Sequence, residues 1–187
     1  KVIASNDQKR LRRIRELYSN LSSNPNLNKD DLFWNAFGMC QRALKDFDAA
    51  VKDFRTSISY AKNRGRNYVP YHAQNQLSVC LLERGLSIPT EASIAFGNLK
   101  EVFELLSVQA DDERTYGRGQ AFTWHRELIS FLEAYYPEFD DTEKNVTRAQ
   151  ALKYLAFIKR SVSGWERRPE AAMTVKKLQS FLANNPA

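Results

Sequence analysis

Apolar side chains return every three or four residues in one segment after another of this chain, and nowhere do they alternate. That spacing places them along one side of an α-helix, whereas alternation would place them on one face of a strand. Leu11, Ile14, Tyr18 and Leu21 form the first stripe, widened by Leu17, with Lys9, Arg10, Arg12, Arg13 and Arg15 around the rest. Ala151, Leu155, Ile158 and Val162 form a late one. Turn formers are scarce to match. Only 13 of the 187 residues are Gly or Pro, about 7% against a usual share of roughly 12%. A strand-rich sandwich or barrel needs more, and the 43% apolar content argues against a disordered chain. The expectation is an all-α protein, read as one domain over residues 1–187.

Local punctuation divides the chain further. Ser5 and Gln8 have the spacing of a capping box, and Asn24-Pro25-Asn26 breaks the helix that follows. Residues 31–45 and 47–62 read as two antiparallel helices joined at Lys45-Asp46-Phe47. A loop over 63–70 contains Arg64, Gly65 and Arg66. The next helix runs from Tyr71 to Arg84 and is expected to stop at Gly85. Another starts at Pro89-Thr90-Glu91 and continues to about Val108, before a charged loop from Asp111 to Gly119. Residues 121–136 carry Phe122, His125, Ile129, Leu132 and Tyr136 on one side, and Pro137 ends them. A helix over 145–162 follows. Pro169 fits the first turn of the last helix, with Val175, Leu178 and Leu182 on its apolar side. The total is about eight helices.

Residues 34–58 hold a denser pattern: Trp34, Phe37-Gly38, Lys45-Asp46-Phe47, Ala49-Ala50, Phe54 and Ser57-Ile58. Small residues at 38 and 50 let two helices cross closely, and the large rings fill the space around the crossing. The pattern resembles the tetratricopeptide repeat, Trp-x2-Leu-Gly-x2-Tyr, then Ala-x3-Phe, then Pro. Gln41 and Lys62 depart from it, in place of the aromatic residue and the closing proline. A shift of 40 residues pairs Phe37 with Leu77, Gly38 with Ser78, and Cys40 with Cys80, while Ala92, Phe96 and Leu99 take the parts of Ala50, Phe54 and Ser57. The best repeat is 31–62 and the second 71–106. Helices within 121–184 are atypical. The resemblance implies an all-α, helix-pair solenoid of about eight helices.

Such a solenoid lines its inner groove with the first helix of each pair. Its implied groove positions are Leu32, Asn35, Ala36, Met39, Arg42 and Ala43, then His72, Asn75, Gln76, Val79, Leu82 and Glu83. Asn, Gln and Arg there suit a peptide backbone, and Met39 and Val79 add apolar contact. No lysine stands among them, so the set pattern that grips a terminal carboxylate is missing. The expected function is non-catalytic binding of a protein or peptide. A fainter likeness joins Tyr71-His72-Ala73-Gln74-Asn75-Gln76-Leu77 and Leu81-Leu82-Glu83 to the C-terminal helical regions of large prokaryotic signalling or antiviral proteins. It implies a sensor domain behind an NTPase or NADase. Lys1 in place of an initiator Met fits a segment of a longer chain.

Charge and chemistry bound the rest. The net charge of +6 is uneven, with +4 on residues 1–20, −5 on 21–143 and +7 on 144–187. Basic ends raise nucleic-acid binding as a competing function, with Arg10, Arg12, Arg13 and Arg15 as its first candidates. The favoured reading of the charge is plainer: solvated Lys and Arg at helical ends, or basic ends that face an acidic partner or the acidic centre of a second copy, so an oligomer is compatible with it. Cys40 and Cys80 lie in apolar helical contexts, without a CxxC or a Cys/His cluster, and are expected to be buried thiols. No phosphate loop, dinucleotide glycine pattern, HExxH or nucleophile elbow occurs. His125 reads as a core or groove residue, and His72 has no nucleophile near it in sequence. Glu138, Asp140, Asp141 and Glu143 read as a helix-starting cluster. Neither an activity nor a cofactor or metal is expected. No apolar run nears the roughly 20 residues that span a bilayer, and no secretion signal is visible. The expected location is cytoplasmic, with no membrane partner.

Overall fold

A computed structural model describes the backbone of residues 5–63, 71–116, 125–161, 164–167 and 169–186, with most of their side chains. Among the described residues the protein is all-α. Its eight helices are α1 (Ser5–Leu21), α2 (Asp31–Ala43), α3 (Phe47–Lys62), α4 (Tyr71–Ser87), α5 (Ala92–Tyr116), α6 (His125–Tyr135), α7 (Asp141–Ser161) and α8 (Pro169–Asn184). Short 3-10 turns, Tyr136–Glu138 and Trp165–Arg167, follow α6 and precede α8. The chain divides into two compact units, Lys1–Cys80 and Leu81–Ala187, and the division falls within α4.

In the first unit α1 packs on α2 and α2 on α3. Asp30 starts α2, its Oδ1 accepting from the Leu32 amide at 2.8 Å. The α2–α3 turn passes through Lys45, whose φ of 62° lies in the left-handed region. Its amide donates to the Arg42 carbonyl at 2.9 Å, and the Asp46 amide to Gln41 at 3.0 Å, so the end of α2 is satisfied. The two helices then cross at Gly38. A Cβ there would lie 2.7 Å from Cε1 of Phe54. Phe54, Ala50 and Ala61 are fully enclosed. Burying a ring like Phe54 contributes about 2–3 kcal/mol. Ser57 fastens the other end, donating to the Asp31 carbonyl at 2.7 Å.

In the second unit α5 packs on α7, α6 on α8 and α7 on α8, with α6 also touching α5. Asp140 and Glu143 cap α7 reciprocally. The Glu143 amide donates to Asp140 at 2.7 Å, and the Asp140 amide to Glu143 at 3.2 Å. The helix therefore begins at Asp141, earlier than the apolar stripe from 145 indicated. Arg148 donates to the carbonyls of Leu182 and Asn185 and satisfies the end of α8. Pro169 is the first residue of α8, as its chemistry requires, and Val175, Leu178 and Leu182 are buried.

Two boundaries differ from expectation for identifiable reasons. Gly85 does not stop α4, which continues to Ser87. It is small because a Cβ would run into the ring of Phe131, and its carbonyl accepts from the Tyr135 hydroxyl at 2.5 Å. The charged loop expected from Asp111 is helical as far as Tyr116, since no Gly or Pro interrupts 107–116. Ala95 of α5 is enclosed, whereas Ala92 and Phe96 are half-buried. The loop at 64–70 and residues 121–124 lie outside the described residues.

Candidate functional site

The faces of α2 assign themselves by their neighbours. Phe33, Phe37 and Cys40 turn to α1. The Tyr18 ring stacks on Phe37 at 5.4 Å and tilts against Phe33 at 5.3 Å, and the Cys40 thiol sits 3.5 Å from the Leu11 carbonyl. Gly38 turns to α3. The remaining face carries Leu32, Asn35, Ala36, Met39, Arg42 and Ala43, the groove positions expected from the repeat. Leu32 is 55% exposed and Met39 47%, while Asn35, Ala36, Arg42 and Ala43 are half-buried.

The counterpart on α4 is only partly as expected. His72 is exposed, and Asn75 and Gln76 are half-buried. Arg42 donates from Nη1 to Oε1 of Gln76 at 2.6 Å, joining two expected site residues across α2 and α4. Asn35 is close-set, with its Oδ1 enclosed and no hydrogen-bond partner for it among the described residues. Val79 and Leu82 are not groove residues. Both are buried, Leu82 completely, because their side of α4 is taken up by core. Glu83 is half-buried and belongs to the second unit. The side chain of His125 lies outside the described residues.

On α1 the basic candidates separate. Arg10, Arg12 and Arg13 are exposed, whereas Arg15 is half-buried, with Nη1 4.0 Å from Oδ2 of Asp46. The apolar stripe is narrower than the spacing suggested. Leu11, Ile14 and Tyr18 are half-buried, but Leu17 is 61% exposed and Leu21 44%. Periodicity identifies the residues that could be buried. It does not report how much of the helix a neighbour covers.

Three buried groups complete the chemistry. Cys40 and Cys80 are buried free thiols, as expected. Burial raises the Cys40 pKa, with the charge of Arg15 opposing. The third is Asp53 on α3, which is not among the sequence candidates. Burial lifts its carboxyl to about 7, with Lys52 opposing and Asp46 reinforcing. Among the described residues no group of His, Cys, Asp and Glu is arranged to hold a metal ion. No described helix is long and apolar enough to cross a membrane. Comparison with known proteins gives no match, whether to a protein-family model, a curated protein or a solved structure.

Proposed function

We propose that this chain is a tetratricopeptide-like helical repeat that binds a protein or peptide without catalysis, through the face of α2 and α4 that carries Asn35, Met39, Arg42, His72, Asn75 and Gln76. The observation that carries the reading is the exposure of Leu32 and Met39 on one face of a helix whose other sides are packed. Solvent-facing Met and Leu beside polar groups suit a surface that accepts an apolar anchor and sets its register by hydrogen bonds.

Support for the repeat comes from two features. Phe54 fills the space beside Gly38 where the small residue of the motif stands. Cys40 and Cys80, 40 positions apart, each direct a thiol at a carbonyl of the preceding helix, Leu11 of α1 and Phe47 of α3.

The test is a peptide-display selection on the whole chain, followed by affinity measurements on Asn35→Ala combined with Asn75→Ala. Loss of two side-chain hydrogen bonds predicts binding weaker by about tenfold or more, with the helical circular-dichroism spectrum of the folded chain retained. Unchanged affinity would remove the face from consideration. Nucleic-acid binding is the second reading, favoured by the exposure of Arg10, Arg12 and Arg13.

A further inference from the structure

α1 offers more than a cover for α2. Its Leu11, Ile14 and Tyr18 side turns to α2, and Arg15 turns to Asp46 at the start of α3. At about 100° per residue, Arg10, Leu17 and Leu21 stand roughly 120–160° around the helix from Arg15, on the flank away from α3, and Arg13 stands about 40° beyond Leu17 at its outer edge. On α2, Leu32 and Met39 stand about 100–120° from Gly38, which meets α3, and about 160° from Trp34 and Gln41 respectively. They too lie on the flank away from α3. The two exposed pairs therefore share one side of the α1–α2 layer.

Their heights along that layer are also fixed. Tyr18 meets Phe33 and Phe37 while the Leu11 carbonyl meets Cys40, so α1 and α2 run antiparallel. Leu21 then comes level with Leu32, Leu17 with Ala36, Arg13 with Met39 and Arg10 with Ala43. From the first of these levels to the last is about 16 Å, or three helical turns. A furrow results between two neighbouring helices, apolar at one end and bordered by arginine towards the other.

We propose that this furrow receives a short amphipathic helix of a partner protein, its apolar stripe on Leu17, Leu21, Leu32 and Met39 and its carboxylates against Arg10 and Arg13. The inference rests on the reading of the α2 face as a binding surface, and adds α1 and the chemical class of the partner. Charge selects the occupant. Apart from Asp7 at the far end, the furrow residues include no carboxylate, so two copies pairing symmetrically through this face would bring arginine against arginine. Nucleic acid is disfavoured because the nearby rings, Tyr18, Phe33 and Phe37, are engaged with one another between the helices and cannot stack on bases. A furrow between packed helices has the width to seat one more helix, by apolar anchors at three- and four-residue spacing.

The probe is a 16-residue amphipathic helical peptide, with Leu at that spacing and Glu along one flank. Its control carries Lys for Glu. Fluorescence anisotropy on the whole chain is expected to show roughly tenfold tighter binding of the Glu peptide. Leu17→Ser combined with Leu21→Ser, and separately Met39→Ser on the opposite wall, are expected to abolish it. Arg10→Glu combined with Arg13→Glu is expected to reverse the preference. These side chains are exposed, and circular-dichroism melts check each fold. Failure of the Glu peptide to bind, equal binding of both peptides, or indifference to the α1 substitutions would overturn the inference. So would preferential uptake by phosphatidylcholine–phosphatidylserine vesicles, or a dimer that the Leu17/Leu21 change dissolves. Binders from the display selection separate the two proposals. Sensitivity to Asn35 and Asn75 but not to α1 sinks only this inference, and sensitivity to neither sinks both.

Discussion

Asp53 shows how far a residue's character can depart from its letter. In the sequence it lies between Lys52 and Phe54 and reads as an ordinary helix charge. In the fold it is 6% exposed, with Oδ2 enclosed and no hydrogen-bond partner for that atom among the described residues. Its carboxyl, ordinarily near 3.8, titrates at about 7 because burial penalises the charge. The folded group thus holds a proton over a range where the unfolded one has lost it. The stability this contributes is full below about pH 4 and falls as the pH rises to about 7. Above that range the protein folds around a buried charge. Asp53→Asn keeps the shape and removes the charge. The variant is expected to be more stable than the parent by about 1–3 kcal/mol at pH 8, with the difference shrinking towards pH 5. Urea melts at the two pH values test this, and a difference independent of pH would mean that the carboxyl ionises normally.

Elements were legible where several local signals agreed. The α2–α3 hairpin has small residues at 38 and 50 and a turn at Lys45-Asp46-Phe47, and it forms with nearly the expected bounds. The end of α4 was not legible, because a glycine late in a helix looks like a stop. What requires a small residue at Gly85 is Phe131, which no local rule could connect to it. Glycine inside a helix therefore has two meanings, a close approach or open space, and the fold supplies both. Gly38 faces Phe54, whereas a Cβ at Gly97 in α5 would meet nothing within 4 Å. Alanine is favoured over glycine in a helix by about 1 kcal/mol. Gly97→Ala is expected to stabilise the protein by about 0.5–1 kcal/mol. Gly38→Ala gains the same propensity but forces the Phe54 ring aside, and is expected to destabilise it by about 1–2 kcal/mol net. Denaturant midpoints of the two variants should move in opposite directions. A stabilised Gly38→Ala would show that the helices do not cross closely there.

For the molecule as a whole, the sequence located the α2 side of the candidate surface and misjudged its borders. Leu32 and Met39 were placed outward by repeat spacing and are exposed. Val79 and Leu82 obeyed the same spacing but were taken by core, and Leu17 and Leu21 were assigned to core but were left uncovered. Both errors have one origin, since periodicity orders residues around a helix without counting the neighbours that close on it. Charge has a similar ambiguity. The excess of +6 suits a polyanion, yet on α1 the exposed cations Lys9, Arg10, Arg12 and Arg13 spread around the helix. Three or four phosphate contacts, with no ring to stack on, leave single-strand binding almost wholly electrostatic. Such binding is expected to weaken by about 20- to 50-fold between 50 and 200 mM salt. A helix seated on Leu17, Leu21, Leu32 and Met39 keeps most of its affinity over that change, because apolar burial is little affected by screening. Anisotropy titrations of oligothymidine and of the Glu peptide at both salt levels set the two readings against each other. Oligothymidine bound at 50 mM salt and weakened by that factor at 200 mM, with no binding of the Glu peptide at either, would make the basic helix a nucleic-acid surface and leave its neighbouring leucines without a role.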